Sequence, residues 1–363
     1  MGGVPSPREA WRTRASAPQI LPFAQNDTTR NFFHESSIAL KPPLENPKSK
    51  IPAPLVALVV ALAAAAGLSA FSGRFDPYYL DVAIGIGINI ILAVSLNLVN
   101  GYTGQFSLGH AGFMSVGAYL SAAVTMLLGQ KFLGPDGGAV WSQNLLFLAA
   151  LVVGGLSAAL AGLLVGLPSL RLKSDYLAIV TLGFGEIIRV IFQNYEPLGG
   201  ALGLNGIPAY TTAFWVLAFG AVTVFTVYCL VHSTYGQGFM ATKDDEISAE
   251  AIGINTTRYK IVAFVVGAFF AGIAGGLYGH FKQTISPGGF DFTRSIEIVV
   301  MVILGGMGNT VGVILAAILL TLLPEVLRPV AEYRMILYSF LLIVLMLARP
   351  QGLFNFKYGK AES

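Results

Sequence analysis

The sequence predicts an all-α protein that crosses a membrane about ten times (eight to ten spans), with some of its helices broken. Three observations lead there. Of 363 residues, 55% are hydrophobic and only 11% charged, against about a quarter charged in soluble domains, so the chain lacks the charge to clothe a water-soluble surface. Apolar runs of about 18 to 24 residues recur, each long enough to span the hydrocarbon core of a bilayer. The loops between them carry lysine and arginine on alternate sides, as the positive-inside tendency requires.

Residues 1–50 are rich in proline and polar groups, hold seven basic and four acidic residues, and show no apolar period. They read as a flexible tail on the cytoplasmic side. A cleavable signal is not expected, because the first apolar run begins only after Ile51. The membrane domain is expected over 51–354, with apolar runs near 54–71, 80–100, 106–128, 144–167, 175–193, 213–231, 261–280, 296–323 and 335–348. With the tail inside, the loop holding Arg171 and Lys173 falls inside, as does the segment 232–260. The loop from Asn194 to Ala213, which has neither lysine nor arginine, falls outside. The run 296–323 is too long for one plain span and is interrupted by Gly305, Gly306, Gly308 and Gly312. Read as two short segments it brings the total to ten and places the basic end (Arg349, Lys357, Lys360), with the short tail 355–363, on the cytoplasmic side; that is the preferred count.

Two stretches interrupt apolar helix: Asn100 to Gly112 (NGYTGQFSLGHAG) and Leu304 to Gly312 (LGGMGNTVG). Polar, glycine-rich backbone at membrane depth survives only when buried in protein or lining a wet cavity. Paired broken segments point to a substrate path, whereas single glycines point to close helix packing. Candidate path residues are Gly104, Ser107, Gly109 and His110 in the first stretch and Gly305, Gly306, Gly308 and Asn309 in the second. Glu186 and Arg189, three apart, are expected to neutralise each other on one helix face. Asp81, His280 and Glu297 stand near predicted span ends, where water is at hand.

The segment Thr242 to Lys260 (TKDDEISAEAIGINTTRYK) is the most charge-dense stretch after residue 50. Thr242 and Asp245 have capping-box spacing, Met240, Ile247, Ala251 and Ile254 share one helical face, and Gly253 is a stop signal. A short amphipathic helix outside the membrane is expected. Its apolar stripe fits either a docking surface for a partner protein or packing on the chain's own membrane ends.

Other classes are excluded or disfavoured. The lone Cys229 forms no disulfide within the chain and supplies no metal-site spacing. The net charge of +3 is matched by the first fifty residues alone, so no nucleic-acid partner is implied. There is no phosphate loop, HExxH or GxSxG, so neither ATP hydrolysis nor another enzymatic activity is expected of this chain. Ser107 and His110 could meet on a helix face, but no third orienting group is evident. An ion-coupled carrier would need ionisable groups deep in the spans, and these are sparse.

Asn97 to Tyr119 (NLVNGYTGQFSLGHAGFMSVGAY) strongly resembles the signature of branched-chain amino acid ABC transporter permeases of the LivM type. So do Ser174 to Gly185, Gly199 to Pro208, Glu246 to Tyr278, Met301 to Gly312 and Arg349 to Leu353, together covering residues 78–354. Residues 1–50 do not match the pattern. The resemblance implies a subunit of a bacterial inner-membrane importer, working with a second homologous permease, two cytoplasmic ATP-binding subunits and a periplasmic amino-acid-binding protein. ATP and Mg would be bound by those partners, and this chain, surrounded by membrane lipid, would hold no cofactor or metal. The segment Ala241 to Ile254 would correspond to the coupling helix that rests on an ATPase subunit, with Ala241, Asp245, Ile247, Glu250, Ala251, Gly253 and Ile254 at the contact. Leucine, isoleucine and valine are the implied substrates; related permeases carry urea, short amides or other amino acids.

Overall fold

The computed structural model describes residues 53–71, 76–132, 139–169 and 174–328, with residues 340 and 343. The polar tail, the loop with Arg171 and Lys173, most of the run 335–348 and the basic end lie outside the described residues.

The helices follow the apolar runs closely, with boundaries set by caps and breakers. Helix α1 is Ala53–Phe71. Helix α2, Pro77–Asn97, opens with Asp76 accepting from Tyr78 N at 2.9 Å and Pro77 at the first helical position. It ends in a π turn, Leu98–Tyr102. Helix α3 is His110–Phe132. Its apolar run was expected from residue 106, but the backbone over 103–109 is irregular, because Asn100 and Thr103 bond backbone that a continuous helix would pair internally. Helices α4 (Val140–Ser169), α5 (Ser174–Asn194) and α6 (Ala213–Val231) follow. Helix α7 (Thr234–Asp244) and the six-residue α8 (Glu246–Ala251) form a polar corner before the long α9 (Thr256–Lys282). The run 296–323 is two helices, α10 (Phe292–Gly305) and α11 (Thr310–Val326), as the ten-span count requires.

Six of these helices, α2, α3, α4, α5, α6 and α9, are long and apolar enough to cross a membrane alone, and shorter apolar helices include Leu55–Ser69 and Thr310–Val326. The chain is a multi-pass helical membrane protein. Its centre is α2, α3 and α9, whose most apolar windows are 72%, 67% and 67% buried, against 22% for α5 and 28% for α6. In lipid the hydrophobic effect does not drive helices together, so close backbone approach must. A Cβ on Gly117 of α3 would overlap Gly272 of α9, and one on Gly275 would overlap the Met114 carbonyl. Buried polar pairs add to this core: Thr125 with His280 at 2.9 Å and His110 with Ser95 at 2.9 Å. Each such pair contributes about 0.6 to 2 kcal/mol in a membrane.

The connections gather at two ends. At one, Leu204–Asn205 (β1) pairs antiparallel with Thr284–Ile285 (β2), joining the loops after α5 and α9. At the other sits the α7–α8 corner. The α10–α11 hairpin runs between them: Arg294 and Thr321 bond Asn89 towards the strand end, while Gly308 bonds Asn97 and Thr310 bonds Tyr102 towards the corner end. Alternating spans produce this placement: 204–205 and 284–285 lie at the strand end and 232–255 and 306–308 at the corner, while 103–109 starts against Lys243 and reaches inward until Leu108 lines one pocket with Phe290 and Asp291.

Candidate functional site

The polar corner is built differently from the single helix expected between Thr242 and Ile254. Thr242 opens nothing: it lies within α7, buried, its hydroxyl donating to the Gly238 carbonyl at 2.8 Å. The cap is Asp245, which ends α7 and starts α8, accepting from Ile247 N at 3.0 Å, Ser248 N at 3.1 Å and the Ser248 hydroxyl at 2.8 Å. Led by the Ser248 hydroxyl, these bonds hold the exposed carboxyl below its usual range, so the cap remains ionised through neutral pH. Met240 and Ala241 therefore belong to α7, and the expected stripe of Met240, Ile247, Ala251 and Ile254 is split between two helices.

A six-residue helix does not stand alone in water; tertiary ties hold it. Ala249 is buried underneath. Glu246 pairs with the buried Lys260, and the Thr256 hydroxyl lies 2.6 Å from Glu250 Oε1. Two of the expected acidic flank, though exposed, thus bond the start of α9. Gly253, at φ +91°, lets Ile254 N turn back to the Ala249 carbonyl at 3.0 Å. Anchored this way, α8 exposes Ile247 (82%), Ala251, Ile252 (77%) and Gly253, with Ile254 half-buried. Ile252 was missed in the sequence because it lies off the helical stripe, in the turn that Gly253 makes.

The same corner touches both membrane breaks. Lys243, in the last turn of α7, lies against Gly104 (φ +69°) and Gly308 (φ +88°): a Cβ on Gly104 would stand 3.2 Å from Lys243 Cγ, and one on Gly308 3.2 Å from its ammonium. The breaks also meet directly. Gly308 N donates to Asn97 Oδ1 at 2.9 Å, and a Cβ on Gly101 would overlap both that oxygen and Gly308 N. Asn309 caps α11 through Gly312 N at 3.1 Å, and Gly305 and Gly312 allow the α10 and α11 backbones to touch. Asn97 is the organising side chain sequence reasoning passed over; an amide inside the run 80–100 was the available signal.

Within the first break, Asn100 clamps Ser107 through Ser107 N (3.2 Å) and its carbonyl (3.4 Å), Leu108 N donates to Thr181 Oγ1 at 3.0 Å, and Gly109 fits against the Thr181 carbonyl. Ser107 and His110 are not a pair on a helix face. Ser107 precedes the helix, and the buried His110 bonds Ser95, whose own hydroxyl bonds the Leu92 carbonyl. The side-chain amide of Gln105 and the Nδ2 of Asn97 are buried with no hydrogen-bond partner among the described residues. Buried amides are ordinarily paired, so these two are the polar groups of the break left open to a further partner. Elsewhere Glu186 and Arg189 form the expected ion pair, 2.7 Å apart. Rather than standing near water at a span end, His280 is buried, between Thr125 and the Gly276 carbonyl. Among the described residues no group of three His, Cys, Asp or Glu is placed to hold a metal.

Comparison with known proteins places these features in context. Residues 78–348 match the family described as branched-chain amino acid transport system / permease component. The chain is 35% identical over 309 residues to the high-affinity branched-chain amino acid transport system permease protein LivM of Salmonella typhimurium, covering 76% of this chain and 69% of that one, and it matches the Escherichia coli LivM equally. The Escherichia coli permease protein LivH is 26% identical over 287 residues, covering 72% of this chain and 90% of LivH. No solved structure matches the chain.

Proposed function

This chain belongs to the family of branched-chain amino acid transport permeases, and we propose from that premise that it is the LivM-type subunit of an ABC importer for leucine, isoleucine and valine. A second homologous permease pairs with it, two cytoplasmic subunits bind ATP and Mg, and a periplasmic amino-acid-binding protein delivers substrate. It resides in the bacterial inner membrane with residues 1–50 and the α7–α8 corner in the cytoplasm.

The observation that carries this reading is the corner itself. Ile247, Ala251 and Ile252 are exposed although α8 is pinned by its cap, by Glu246–Lys260 and by Glu250–Thr256. Apolar side chains held out on a rigid support fit a groove on a partner. The same rigid unit ends at Lys243, against both glycine breaks, so a push on α8 reaches Gly104 and Gly308 directly. We assign Gly104, Ser107, Gly109, His110, Gly305, Gly306, Gly308 and Asn309 to the moving wall of the path. A nucleotide-driven change needs two states of different affinity for the driving subunit, and contact from α8 through Lys243 to both breaks is the route by which ATP binding selects between them.

The test is ATPase stimulation in vesicles holding this chain, its neighbouring permease, ATPase subunits and cognate binding protein. Leucine, isoleucine and valine are expected to stimulate hydrolysis and enter the vesicles. Stimulation by urea or acetamide instead would keep the machine and replace the substrate. Uptake by the chain without ATPase subunits would overturn the reading.

A further inference from the structure

At the strand end, opposite the corner, four helices enclose a charged funnel. Its volume is about 130 Å³, room for several water molecules or one small amino acid. Asp81, Gly85 and Asn89 lie at four-residue steps of α2 on one wall, so the cavity descends about 12 Å along that helix. At the rim Lys282 of α9 stands 3.1 Å from Asp81. Deeper in, Arg294 of α10 donates through Nη2 to Asn89 Oδ1 at 2.6 Å and through Nη1 to Glu297 at 2.8 Å. Glu325 of α11 accepts from the Tyr78 hydroxyl at 2.6 Å. The cavity is lined by Lys282, Arg294, Asp81 and Glu325 together with the apolar Val82, Ile88 and Phe281.

Asp81 and Lys282 are exposed at the rim, whereas the Arg294 side chain is only 22% exposed, and a charge drawn into a membrane bundle is costly and marks a candidate functional site. The charged groups keep hydrogen-bonding capacity that a ligand could take over from water. A guanidinium has five N–H donors, and two of those on Arg294 are engaged. An ammonium has three donors, and Lys282 reaches one carboxylate, that of Asp81, while lying 4.8 Å from the centre of the Phe281 ring. Glu325 keeps an oxygen beyond the one Tyr78 occupies. A metal cation would meet two fixed cations here, and a neutral amide would need neither sign of charge. A molecule that brings one carboxylate and one ammonium, with a short apolar arm, matches donors, acceptors and walls together.

We propose that this funnel is a binding subsite for an amino-acid zwitterion, with Arg294 receiving the α-carboxylate, Asp81 and Glu325 the α-ammonium, and Val82, Ile88 and Phe281 the aliphatic side chain. The proposal rests on the reading of the chain as an amino-acid permease and adds the site where the strand side first holds the substrate. Asp81, which the sequence left at a span end, thereby gains a setting on the cavity wall, Glu297 stands behind it as the partner of Arg294, and Arg294 and Lys282 join Asp81 only in the fold.

A thiol reporter tests it. A Cβ on Gly85 meets nothing within 4 Å, so Gly85→Cys in a Cys229→Ala background places a sulfur on the cavity wall without a clash; Val82→Cys reads the same cavity from a neighbouring position. The full complex in vesicles is treated with a small methanethiosulfonate, and leucine uptake by the wild-type complex is recorded in parallel. Leucine well above its Kd is expected to slow labelling about tenfold. The two half-charged analogues, 4-methylpentanoate and 3-methylbutan-1-amine, are expected not to, and Arg294→Gln should remove the protection. Equal protection by the analogues overturns the zwitterion assignment. Uptake of leucine without protection at either reporter overturns the subsite and leaves the functional reading standing. No leucine uptake by the wild-type complex overturns that reading, and the occupant with it.

Discussion

Gly101 and Gly308 show how single residues set the form of the membrane breaks. Neither is there for flexibility in general. Gly308 combines a left-handed backbone with contact to the Lys243 ammonium, and Gly101 is where one break meets the backbone of the other. Gly101→Ala would drive a methyl group into Asn97 Oδ1 and Gly308 N, and backbone cannot swing aside as a side chain does. The expected cost is about 1–3 kcal/mol, the range for overpacking, read as a lower thermal midpoint of the purified chain together with reduced uptake. A midpoint equal to that of the unaltered chain would remove the close approach. Asn97 has the complementary role: its carbonyl oxygen supplies the acceptor for Gly308 N, one of the backbone donors that the break leaves outside helix.

At the scale of elements, the α7–α8 corner converts a weak helix into a fixed one. Asp245 ends one helix and caps the next, Ser248 completes that cap, and Lys260 and Thr256 hold the two glutamates. Because Ala251 is exposed, Ala251→Arg should change folding stability by no more than about 0.5 kcal/mol. It should nevertheless abolish uptake and co-purification with ATPase subunits, since a charge would enter the apolar contact. Normal uptake by that variant would dismiss α8 as the docking surface. Deleting Asp245 would be a poorer probe, because it would undo both helices at once.

For the molecule as a whole, the two ends of the bundle must face opposite compartments. Leu202, 89% exposed near β1, and the exposed Arg258, at the start of α9, mark them. In a Cys229→Ala background, Leu202→Cys should react with a membrane-impermeant maleimide in intact cells, and Arg258→Cys only after permeabilisation. The converse pattern would invert the molecule in the membrane and separate α8 from any cytoplasmic ATPase. The central helices α2, α3 and α9 join the ends: α2 carries Asp81 at the funnel and Asn97 at the break, and α9 carries Lys282 at one end and Lys260 at the other. An event at either end therefore acts on helices that reach the other.

What the sequence determined by itself is the part governed by local chemistry and by the bilayer. Apolar run lengths decided the spans, because unpaired backbone is excluded from lipid, and glycine clusters decided where helix would break, including the division of 296–323. The corner was legible as a polar, helical segment between spans, yet its division at Asp245 was not, since Thr242 and Asp245 have capping-box spacing and only the burial of Thr242 within α7 shows that Asp245 alone is the cap. His110 illustrates the same limit: a histidine beside a glycine break reads as a path residue, and its bond to Ser95, fifteen residues away, is visible only in the fold. Tertiary structure alone decided which distant residues meet. Lys243 with Gly104 and Gly308, Asn97 with Gly308, and Arg294 with Asn89 join positions that no periodicity relates, and in a membrane such polar contacts are settled by the close packing of helices whose lipid-facing sides look alike in sequence.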